Sequence, residues 1–260
     1  MERSAEHLGG SEPGPAGGPW TGPVVVAGAN GRTGVHVVAE LLARDLLVRA
    51  LVRDPARASR LDGVDPGRRA ERVATDVRDP EALLAALAGG GAVICTIGTT
   101  TFWGPNGARA VDHQGVAALA AAAAATPGIG SFVLVSSLGA TRTWHVLNAA
   151  NRLLHRKLEG ENALRASGAA YTVVRPGALN DAPGGRMLRL TQGDRARGGS
   201  ISRADVARVC VDALLDPHAR NTTFEVVAAD GAPAPPAAQL ARLHPDRPTA
   251  ASPTRDGSGR

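Results

Sequence analysis

The feature that most constrains the fold is a glycine-rich loop that directly follows a run of valines near the start of the chain. It reads Val24-Val25-Val26-Ala27-Gly28-Ala29-Asn30-Gly31-Arg32-Thr33-Gly34. A strand that turns through three glycines into a helix is typical of proteins that cradle a pyrophosphate. Gly28 permits the tight turn, Gly31 lets the backbone approach phosphate oxygens, and Gly34 lets the helix pack against the strand. The sequence therefore predicts a dinucleotide site here.

The spacing of this loop is G-x-x-G-x-x-G, which departs from G-x-G-x-x-G, but its context favours the same function. An amphipathic run from Val35 to Leu42 follows the loop and predicts a helix whose N-terminus supplies N–H donors and positive potential. The alternative is a turn with a purely structural role. The loop residues predicted to bind the cofactor are Gly28, Asn30, Gly31, Arg32, Thr33 and Gly34.

The end of the second predicted strand, Leu47 to Arg53, bears on which dinucleotide is bound. An acidic residue there would hold the ribose 2'-hydroxyl, whereas the guanidinium of Arg53 is suited to a 2'-phosphate. This favours NADP(H) as the cofactor, and Arg32 offers a second cation. Two alternatives stay open: Arg53 is a solvated surface residue, or Asp54, although one residue late, favours NAD(H).

Seven strand-like runs alternate with helical patterns along the chain. They are Val24 to Ala27, Leu47 to Arg53, Glu71 to Thr75, Ala92 to Ile97, Ser131 to Ser136, Tyr171 to Arg175 and Thr223 to Val227. Ser202 and Asp205 form a capping-box-like start to a further helix. Because this alternation is typical of βαβ units, we predict an α/β fold. It is a Rossmann-type, doubly wound, mostly parallel sheet with helices on both faces, in a single domain.

The length of 260 residues predicts one domain. We place it from residue 21 to 231, with a small C-terminal substrate region. Residues 1–20 and 232–260 are rich in Gly, Pro, Ala and charge, so they are predicted to be flexible tails. No apolar leader begins the chain, and the run from Val116 to Ala125 is too short to span a bilayer. A soluble, cytoplasmic protein with no membrane partner is therefore expected.

Composition also limits the kinds of partner. The net charge of +5 is modest, its arginines are scattered, and aromatic residues make up only 3%, which leaves little surface for base stacking. Cys95 and Cys210 fall in a predicted strand and helix, so we expect buried thiols in a reducing compartment. No metal-ligand spacing occurs among the cysteines and histidines. We expect a small-molecule substrate, no nucleic acid, no metal, and a monomer or homodimer.

Residues that end the predicted strands are further candidates, because ligands of doubly wound sheets sit at the carboxyl ends of the strands. Asp76 can accept a hydrogen bond from the adenine amino group and Val77 can pack on the ring, although a turn or cap before Pro80 explains Asp76 equally well. The strand-end residues predicted to bind the cofactor are Arg53, Asp76, Val77, Thr96, Ile97, Gly98, Ser136, Pro176 and Gly177.

Lys157 is the single lysine among 29 residues of Lys and Arg. A lysine is not interchangeable with arginine where a ribose hydroxyl or a proton relay must be served. On a predicted helix from Asn151 to Ala166, Lys157 shares an inward stripe with Leu153, Gly160 and Leu164. The alternative is an ion pair with Glu161 on a solvated helix face.

Together these motifs resemble the atypical short-chain dehydrogenase/reductases of the NAD(P)H-binding, NmrA-like group, roughly from Val24 to Val227. The matching elements are the glycine loop, Asp76-Val77, Ser136-Ser137, Lys157 with Glu161, Ser167-Gly168, Tyr171 to Gly177 and Ser202 to Val206. The resemblance implies an oxidoreductase with Ser137 and Lys157 as catalytic residues, and with Lys157 also positioning the nicotinamide ribose of the cofactor.

The chain departs from this group at one catalytic position. Family reductases carry a tyrosine four residues before the lysine, and Leu153 stands there. The only tyrosine is Tyr171, which is predicted to start a strand. A proton must then come from Ser137, a bound water, the substrate, or a histidine such as His113 or His145.

Aromatic residues in two loops suggest the walls of a substrate site, although anchoring of the loops to the core explains them equally well. The predicted substrate-binding residues are Phe102, Trp103, Trp144 and His145. The leading hypothesis is an NADPH-dependent oxidoreductase that acts on a small cyclic or aromatic carbonyl, quinone or flavin-like substrate. The alternatives are a redox-neutral isomerase or epimerase with bound NADP, and a non-catalytic NADP(H)-sensing regulator.

Overall fold

The computed structural model describes residues 20–99, 104, 106–142, 152–230 and 235–247. Its strands are β1 (Val24–Ala27), β2 (Val48–Val52), β3 (Glu71–Ala74), β4 (Ala92–Cys95), β5 (Phe132–Val135), β6 (Tyr171–Pro176), β7 (Ala178–Asn180), β8 (Leu188–Thr191), β9 (Ser200–Ser202) and β10 (Thr222–Ala228). Its α-helices are α1 (Gly34–Ala43), α2 (Ser59–Val64), α3 (Pro80–Leu87), α4 (Val116–Ala125), α5 (Leu153–Ala166), α6 (Arg203–Leu215) and α7 (Pro236–Leu240). A π-helical turn, Arg109–Gly115, and 3-10 turns at Pro55–Arg57 and Pro217–Ala219 complete the order.

The central sheet has the strand order β3-β2-β1-β4-β5-β6-β10-β8. All its neighbours pair in parallel except β10 and β8, which are antiparallel. The order of strands along the chain reverses between β1 and β4, and ligands of such sheets bind at this reversal. The predicted Rossmann-type α/β fold is confirmed.

Two apolar layers hold the sheet between helices. Along β1, Val24 and Val26 face the layer that contains α1 and α6, whereas Val25 and Ala27 face the layer that contains α3 and α4. This alternation follows from the period of two along a strand. Both faces of the sheet are therefore covered, which explains why its central strands are continuous apolar runs rather than alternating ones.

Helix α6 starts as the sequence predicts. Ser202 Oγ accepts a hydrogen bond from the Asp205 backbone N–H (3.0 Å), and the same hydroxyl donates to Asp205 Oδ2 (2.9 Å). This reciprocal pair satisfies a donor of the first helical turn, which is the role of a capping box. Because α6 packs against α1 and β5, this cap fixes one wall of the sheet.

Three short strands were not predicted. β7 and β9 form a separate two-stranded parallel pair, and β8 adds an antiparallel edge next to β10. Each has only three or four residues with mixed polarity, so none carries a period long enough to stand out from a loop. These strands lie after the carboxyl end of β6 in the chain, where they build the small C-terminal region.

The prediction of a flexible segment from residue 232 onward is wrong for residues 235–247. Leu240 is fully buried in the core, and Gln239 exchanges hydrogen bonds with β8, accepting from Leu190 N (2.9 Å) and donating to Leu188 O (2.8 Å). Asp246 accepts from the Tyr171 hydroxyl and the Thr223 backbone N–H. The composition of the segment did not reveal this, because one buried leucine and a few side-chain hydrogen bonds are enough to hold residues 235–247 against the domain. The other domain boundaries stay predictions, and residues 1–19, 231–234 and 248–260 lie outside the described part.

Within the described residues, no helix has the length and apolarity needed to cross a membrane. The same part of the chain contains no cluster of three or more His, Cys, Asp or Glu side chains suited to a metal ion. Cys95 and Cys210 are both buried free thiols. Burial raises the pKa of Cys95 to about 12, so its thiol stays protonated at neutral pH.

Candidate functional site

The glycine loop between β1 and α1 requires glycine at its first and third positions. Gly28 adopts a φ of +80°, and a Cβ there would lie 2.9 Å from Thr96 Oγ1. A Cβ on Gly34 would lie 2.1 Å from the carbonyl oxygen of Gly28, because the start of α1 packs directly on the turn. Both glycines are therefore needed for the turn itself.

Gly31 differs from these two glycines, because a Cβ there would meet only Gly28 O, at 3.0 Å, and would otherwise point into open space. Beside it, Asn30 Oδ1 is buried and has no hydrogen-bond partner in the described part of the chain, so it can accept from a hydroxyl or amino group. Thr33 makes no side-chain cap on α1, and the Val35 and His36 amides donate to Gly31 O and Thr33 O (both 3.1 Å). These features fit a phosphate-bearing dinucleotide held against the loop.

We expect Gly31→Val to abolish NADPH binding while the protein stays folded, because the added side chain enters the space that the phosphates need. Gly67→Val is the matched control, since a Cβ there approaches nothing closer than Arg69 Cγ at 3.9 Å. Calorimetric titration with NADPH and thermal unfolding of both variants check this. Retained affinity in folded Gly31→Val protein would show that the loop does not contact the pyrophosphate.

Cationic side chains surround the end of β2 near Asn30. Arg53 is exposed and makes no hydrogen bond or ion pair to the described residues. Asp54 accepts from Ala56 N (3.0 Å) as the cap of the 3-10 turn, so its carboxylate already has a structural role. Arg57 and Arg60, which the sequence analysis did not single out, contact Asn30 through Arg57 O (3.1 Å) and Arg60 Nη1 (3.5 Å).

Arg32 is not directed at this cluster in the structure. Its guanidinium forms an ion pair with Asp181, which follows β7 and also accepts from Arg203 Nη1 (2.7 Å). Arg32 thus connects the glycine loop to the C-terminal region. Its predicted contact with the phosphate stays a prediction.

Asp76, at the end of β3, has the turn role that was the alternative to adenine recognition. Its Oδ1 accepts from the backbone N–H (3.0 Å) and Nε (2.9 Å) of Arg78. These hydrogen bonds lower the pKa of Asp76 to about 2. Val77 is half-buried and lies against Gly115 in the π-helical turn. The predicted adenine contacts of both residues remain untested.

The end of β4 connects the glycine loop to the π-helical turn. Thr96 Oγ1 donates to Ala27 O (3.0 Å) and approaches Gly28 O (3.3 Å), which fixes the two strand ends at the point of reversal. Ile97 is half-buried and packs towards Gly115. A Cβ on Gly98 would lie 3.7 Å from Lys157 Nζ. Lys157 therefore lies beside the carboxyl end of β4.

Lys157 pairs with a residue that the sequence analysis missed. Its Nζ donates to Asp112 Oδ1 (2.7 Å), and Asp112 Oδ2 accepts from Thr99 N (3.0 Å). The Asp112 side chain is 1% exposed and that of Lys157 is 17% exposed. Asp112 lies in the π-helical turn, a local irregularity that is frequent at functional sites. The alternative pairing of Lys157 with Glu161 is not formed.

The two serines that follow β5 have different surroundings. Ser136 is buried and donates to Glu161 Oε1 (2.6 Å), so its hydroxyl is committed to the interior. Ser137 is half-buried, and among the described residues its hydroxyl makes only a local contact with Leu138 O (3.2 Å). Of the two, Ser137 keeps the hydroxyl that a ligand can recruit.

Glu161, which accepts the hydrogen bond from Ser136, is the centre of a buried network of charged side chains. It accepts from Arg175 Nε (2.9 Å) and Nη2 (2.7 Å) and from Arg165 Nη2 (3.1 Å), and it is fully buried. Burial alone would raise the pKa of Glu161, but hydrogen bonds from Arg175 and Ser136 and the nearby charges outweigh it and lower the pKa. The carboxylate is therefore ionised inside the protein and ties α5 to β6.

The predicted strand-end residues of β6 have structural contacts. Pro176 O accepts from Leu138 N (2.8 Å), which holds the loop after Ser137 beside β6. A Cβ on Gly177 would lie 2.5 Å from Gly199 O, so this glycine permits the close approach of the chain before β9. Their predicted cofactor contacts are not tested by these distances.

Tyr171 cannot replace the missing family tyrosine. It begins β6 at the amino edge of the sheet, opposite the strand ends described above, and its hydroxyl donates to Asp246 Oδ2 (3.1 Å). Burial and the Asp246 carboxylate raise its pKa to about 12. Leu153 is the first residue of α5, one helical turn before Lys157.

The other residues predicted to serve the reaction lie elsewhere. His113, a candidate proton donor, has its Nδ1 3.2 Å from Glu159 Oε2. The predicted substrate residues Phe102, Trp103, Trp144 and His145 lie outside the described residues.

Comparison with known proteins agrees with this architecture. The sequence profile of a family described as NAD(P)H-binding matches residues 28–217. An uncharacterised chloroplastic protein of Arabidopsis thaliana is 36% identical over 225 residues, 82% of this chain and 79% of the other. A Bacillus subtilis protein described as an uncharacterised sugar epimerase is 33% identical over 209 residues, 80% of this chain and 94% of the other. A solved structure from Bacillus halodurans, assigned as an NAD-dependent epimerase/dehydratase, has a TM-score of 0.74 and 26% identity, and the match covers 85% of this chain and 99% of that one.

The relatives contradict the prediction of a cytoplasmic protein. Several of them, from Arabidopsis thaliana and Pisum sativum, are described as chloroplastic proteins. The prediction rested on the lack of an apolar leader and of a membrane-spanning run. A plastid enzyme shares both properties, so they do not distinguish the two compartments.

The match also bears on the cofactor. The predicted nicotinamide cofactor is confirmed as NAD(P)H, while the preference for the phosphorylated form rests on the arginines near β2. The profile match, the strand order of the Rossmann sheet and the glycine cradle lead to one assignment: the chain belongs to the NAD(P)H-binding family of atypical short-chain dehydrogenase/reductase-like proteins.

Proposed function

We propose that the protein is an NADPH-dependent oxidoreductase that acts on a small cyclic or aromatic carbonyl, quinone or flavin-like acceptor. The observation that carries this proposal is the Lys157–Asp112 pair beside Gly98. The Lys157 ammonium group is held by the buried Asp112 carboxylate at the carboxyl end of β4, next to the glycine loop. An ammonium group in this position can donate hydrogen bonds to the ribose hydroxyls of a bound dinucleotide. An ion pair with a purely structural role would not need to lie at this strand end.

The proposed roles of the chain's own groups follow from their positions. The amides of the glycine loop hold the pyrophosphate, and Arg53 holds the 2'-phosphate. When bound, the cofactor supplies a hydride to the acceptor. Lys157 donates hydrogen bonds to the nicotinamide ribose, and its charge stabilises negative charge that develops on the acceptor oxygen. Asp112 positions Lys157 by fixing its Nζ.

The proton that completes the reduction needs a donor other than tyrosine. Ser137 is the protein group best placed for this role, because its hydroxyl has only a local contact and follows β5 at the same edge of the sheet. A serine hydroxyl is a weak acid, so it serves best as a relay from water or as a hydrogen bond to the acceptor oxygen. This predicts acceptors that need little acid assistance, such as quinones and flavins.

The names of some relatives support a reductase. Sanguinarine reductase of Eschscholzia californica is 36% identical over 105 residues, which cover 38% of each chain. A second candidate is a redox-neutral epimerase, which the name of the Bacillus subtilis relative favours. An epimerase regenerates its cofactor in each turnover, so it shows no net consumption of NADPH.

The experiment is a spectrophotometric assay of NADPH oxidation with a panel of quinones, flavins and cyclic ketones. The proposal predicts oxidation that depends on both enzyme and acceptor. Binding of NADPH without turnover by any member of the panel would contradict an oxidoreductase and favour the sensing regulator. Conversion of a sugar nucleotide without loss of NADPH absorbance would favour the epimerase.

We expect Arg53→Ala to remove the preference for NADP(H) over NAD(H). A charge-assisted hydrogen bond to the 2'-phosphate is worth about 1.5–3 kcal/mol, so the affinity for NADPH falls by about tenfold or more while that for NADH changes little. Arg242→Ala, an exposed arginine after α7, is the matched control. Calorimetry with both cofactors measures the effect, and an unchanged preference in Arg53→Ala would move 2'-phosphate recognition to Arg57 or Arg60.

A further inference from the structure

A cavity of about 560 Å³ opens between the loop that follows β5 and the loop between β8 and β9. It is lined by Arg142, Asp194, Arg195 and Arg197. Its volume is in the range of small-molecule sites. Among the described residues that line it, three guanidinium groups stand against one carboxylate, so this part of the lining is strongly cationic.

The loop between β8 and β9, which carries Arg195 and Arg197, is held by contacts with β6 and β10. Asp194 adopts a φ of +57°, and its Oδ1 accepts from Arg175 Nη1 (2.9 Å). Its backbone N–H donates to Glu225 Oε1 (3.0 Å), and Glu225 is buried. From the other side, Arg142 Nη2 donates to Ala196 O (2.8 Å). The cavity wall is therefore held in place by the interior of the protein rather than by solvent-exposed contacts.

Two of the arginines in the cavity, Arg195 and Arg197, have no acidic partner among the described residues. The one acidic side chain, Asp194, is already paired with Arg175. Arg195 and Arg197 are exposed and make no hydrogen bond or ion pair within the described part of the chain. Guanidinium groups on one wall repel each other unless an anion lies between them, and their planar forks suit carboxylate or phosphate oxygens.

A shared loop and a series of hydrogen bonds connect the cavity to the proposed reaction centre. Arg142 lies on the loop that starts at Ser137. On the other side, Arg175 bridges Asp194 in the cavity wall to Glu161, and Glu161 accepts from Ser136. The anionic group of a ligand in the cavity would thus lie at the carboxyl edge of the sheet, next to the acceptor ring.

We infer that this cavity is the subsite for an acidic arm of the substrate, so that the acceptor is a ring compound that carries a carboxylate or phosphate group. The inference rests on the proposed function for the ring and its reduction. The arginine subsite itself is independent of turnover, because it concerns binding alone. With this subsite, the proposed acceptors are carbonyl, quinone or flavin-like compounds that carry an anionic group, rather than neutral ones.

FMN and riboflavin test this inference, because they share one ring system and differ by a phosphate. Binding is measured by flavin fluorescence in protein saturated with NADP⁺, so that the phosphate cannot occupy the dinucleotide site. Wild type is expected to bind FMN at least about tenfold more tightly than riboflavin, with an affinity that falls as salt is added. Arg195→Gln/Arg197→Gln should bring the two affinities to within about threefold.

The control is Arg68→Gln/Arg242→Gln, which removes the same charge from exposed positions away from the cavity. It should keep the preference for FMN. Equal affinities for the two flavins in wild type, no binding of FMN, or the same loss in the control would overturn the inference. If FMN binds through the arginines but no acceptor oxidises NADPH, the proposed function fails and the anion subsite stands.

Discussion

Lys157→Met is expected to lower kcat/KM for NADPH oxidation by about 10²- to 10³-fold, the largest effect that the structure predicts for one side chain. The substitution keeps an unbranched side chain, one atom shorter, and removes the charge beside Gly98. Lys157→Arg keeps the charge and loses the compact head, so it should retain more activity than Lys157→Met. Steady-state kinetics on folded variants with the best acceptor of the panel measure both effects.

Stability has to be separated from chemistry in this experiment, because Lys157→Met leaves the buried Asp112 carboxylate without its cation. Lys157→Met/Asp112→Asn removes that unpaired charge. We expect the double variant to recover thermal stability and to stay inactive. Leu153→Tyr, which restores the family tyrosine, should not abolish activity. An unchanged kcat in Lys157→Met would place the chemistry at another residue.

Glu161→Gln is expected to destabilise the protein by about 3–5 kcal/mol, because the buried Arg175 loses the carboxylate that accepts two of its hydrogen bonds, and Arg165 loses one of its two carboxylate partners. For a domain of this size the expected loss in Tm is about 10 °C. Glu159→Gln is the matched control on the same helix, where a partly exposed ion pair with Arg156 is worth about 1 kcal/mol or less. Thermal unfolding of both variants measures the difference, and equal Tm losses would contradict the central role of Glu161.

The pH dependence of this difference has a definite sign. Because the pKa of Glu161 is lower in the folded protein, the unfolded chain binds more protons just below the ordinary value of 4.5. The stability that Glu161 contributes is thus complete above that value and is lost as the pH falls through the lowered pKa. The gap in Tm between wild type and Glu161→Gln should therefore narrow on acidification.

The central part of the fold was predictable because its signals are local and strong. Apolar runs such as Val24–Ala27 and Phe132–Val135 can hardly be anything other than buried strands, and Ser202 marks the start of α6 through its cap. The short strands β7 to β9 and the docked segment at Leu240 were not predictable. Their positions depend on contacts with distant parts of the chain, which no local period reveals.

The site was predictable only in part, for a similar reason. The solitary Lys157 was evident from composition, and the glycine loop from its spacing. Asp112 was missed because it lies 45 residues from Lys157 in the sequence, and only the π-helical turn of the folded chain directs it at Lys157. Arg195 and Arg197 were missed because, in a chain so rich in arginine, only the cavity distinguishes them from surface residues.

The most direct test of the account is single-turnover oxidation of NADPH that carries deuterium at one or the other of its two C4 positions. The acceptor is the one that the panel ranks first. If hydride transfer takes place beside Lys157, deuterium at one position slows oxidation and deuterium at the other does not, because the bound ring presents one face to the acceptor. Oxidation that is no faster with acceptor than without it, or that neither deuterium slows, would contradict an oxidoreductase built on this site.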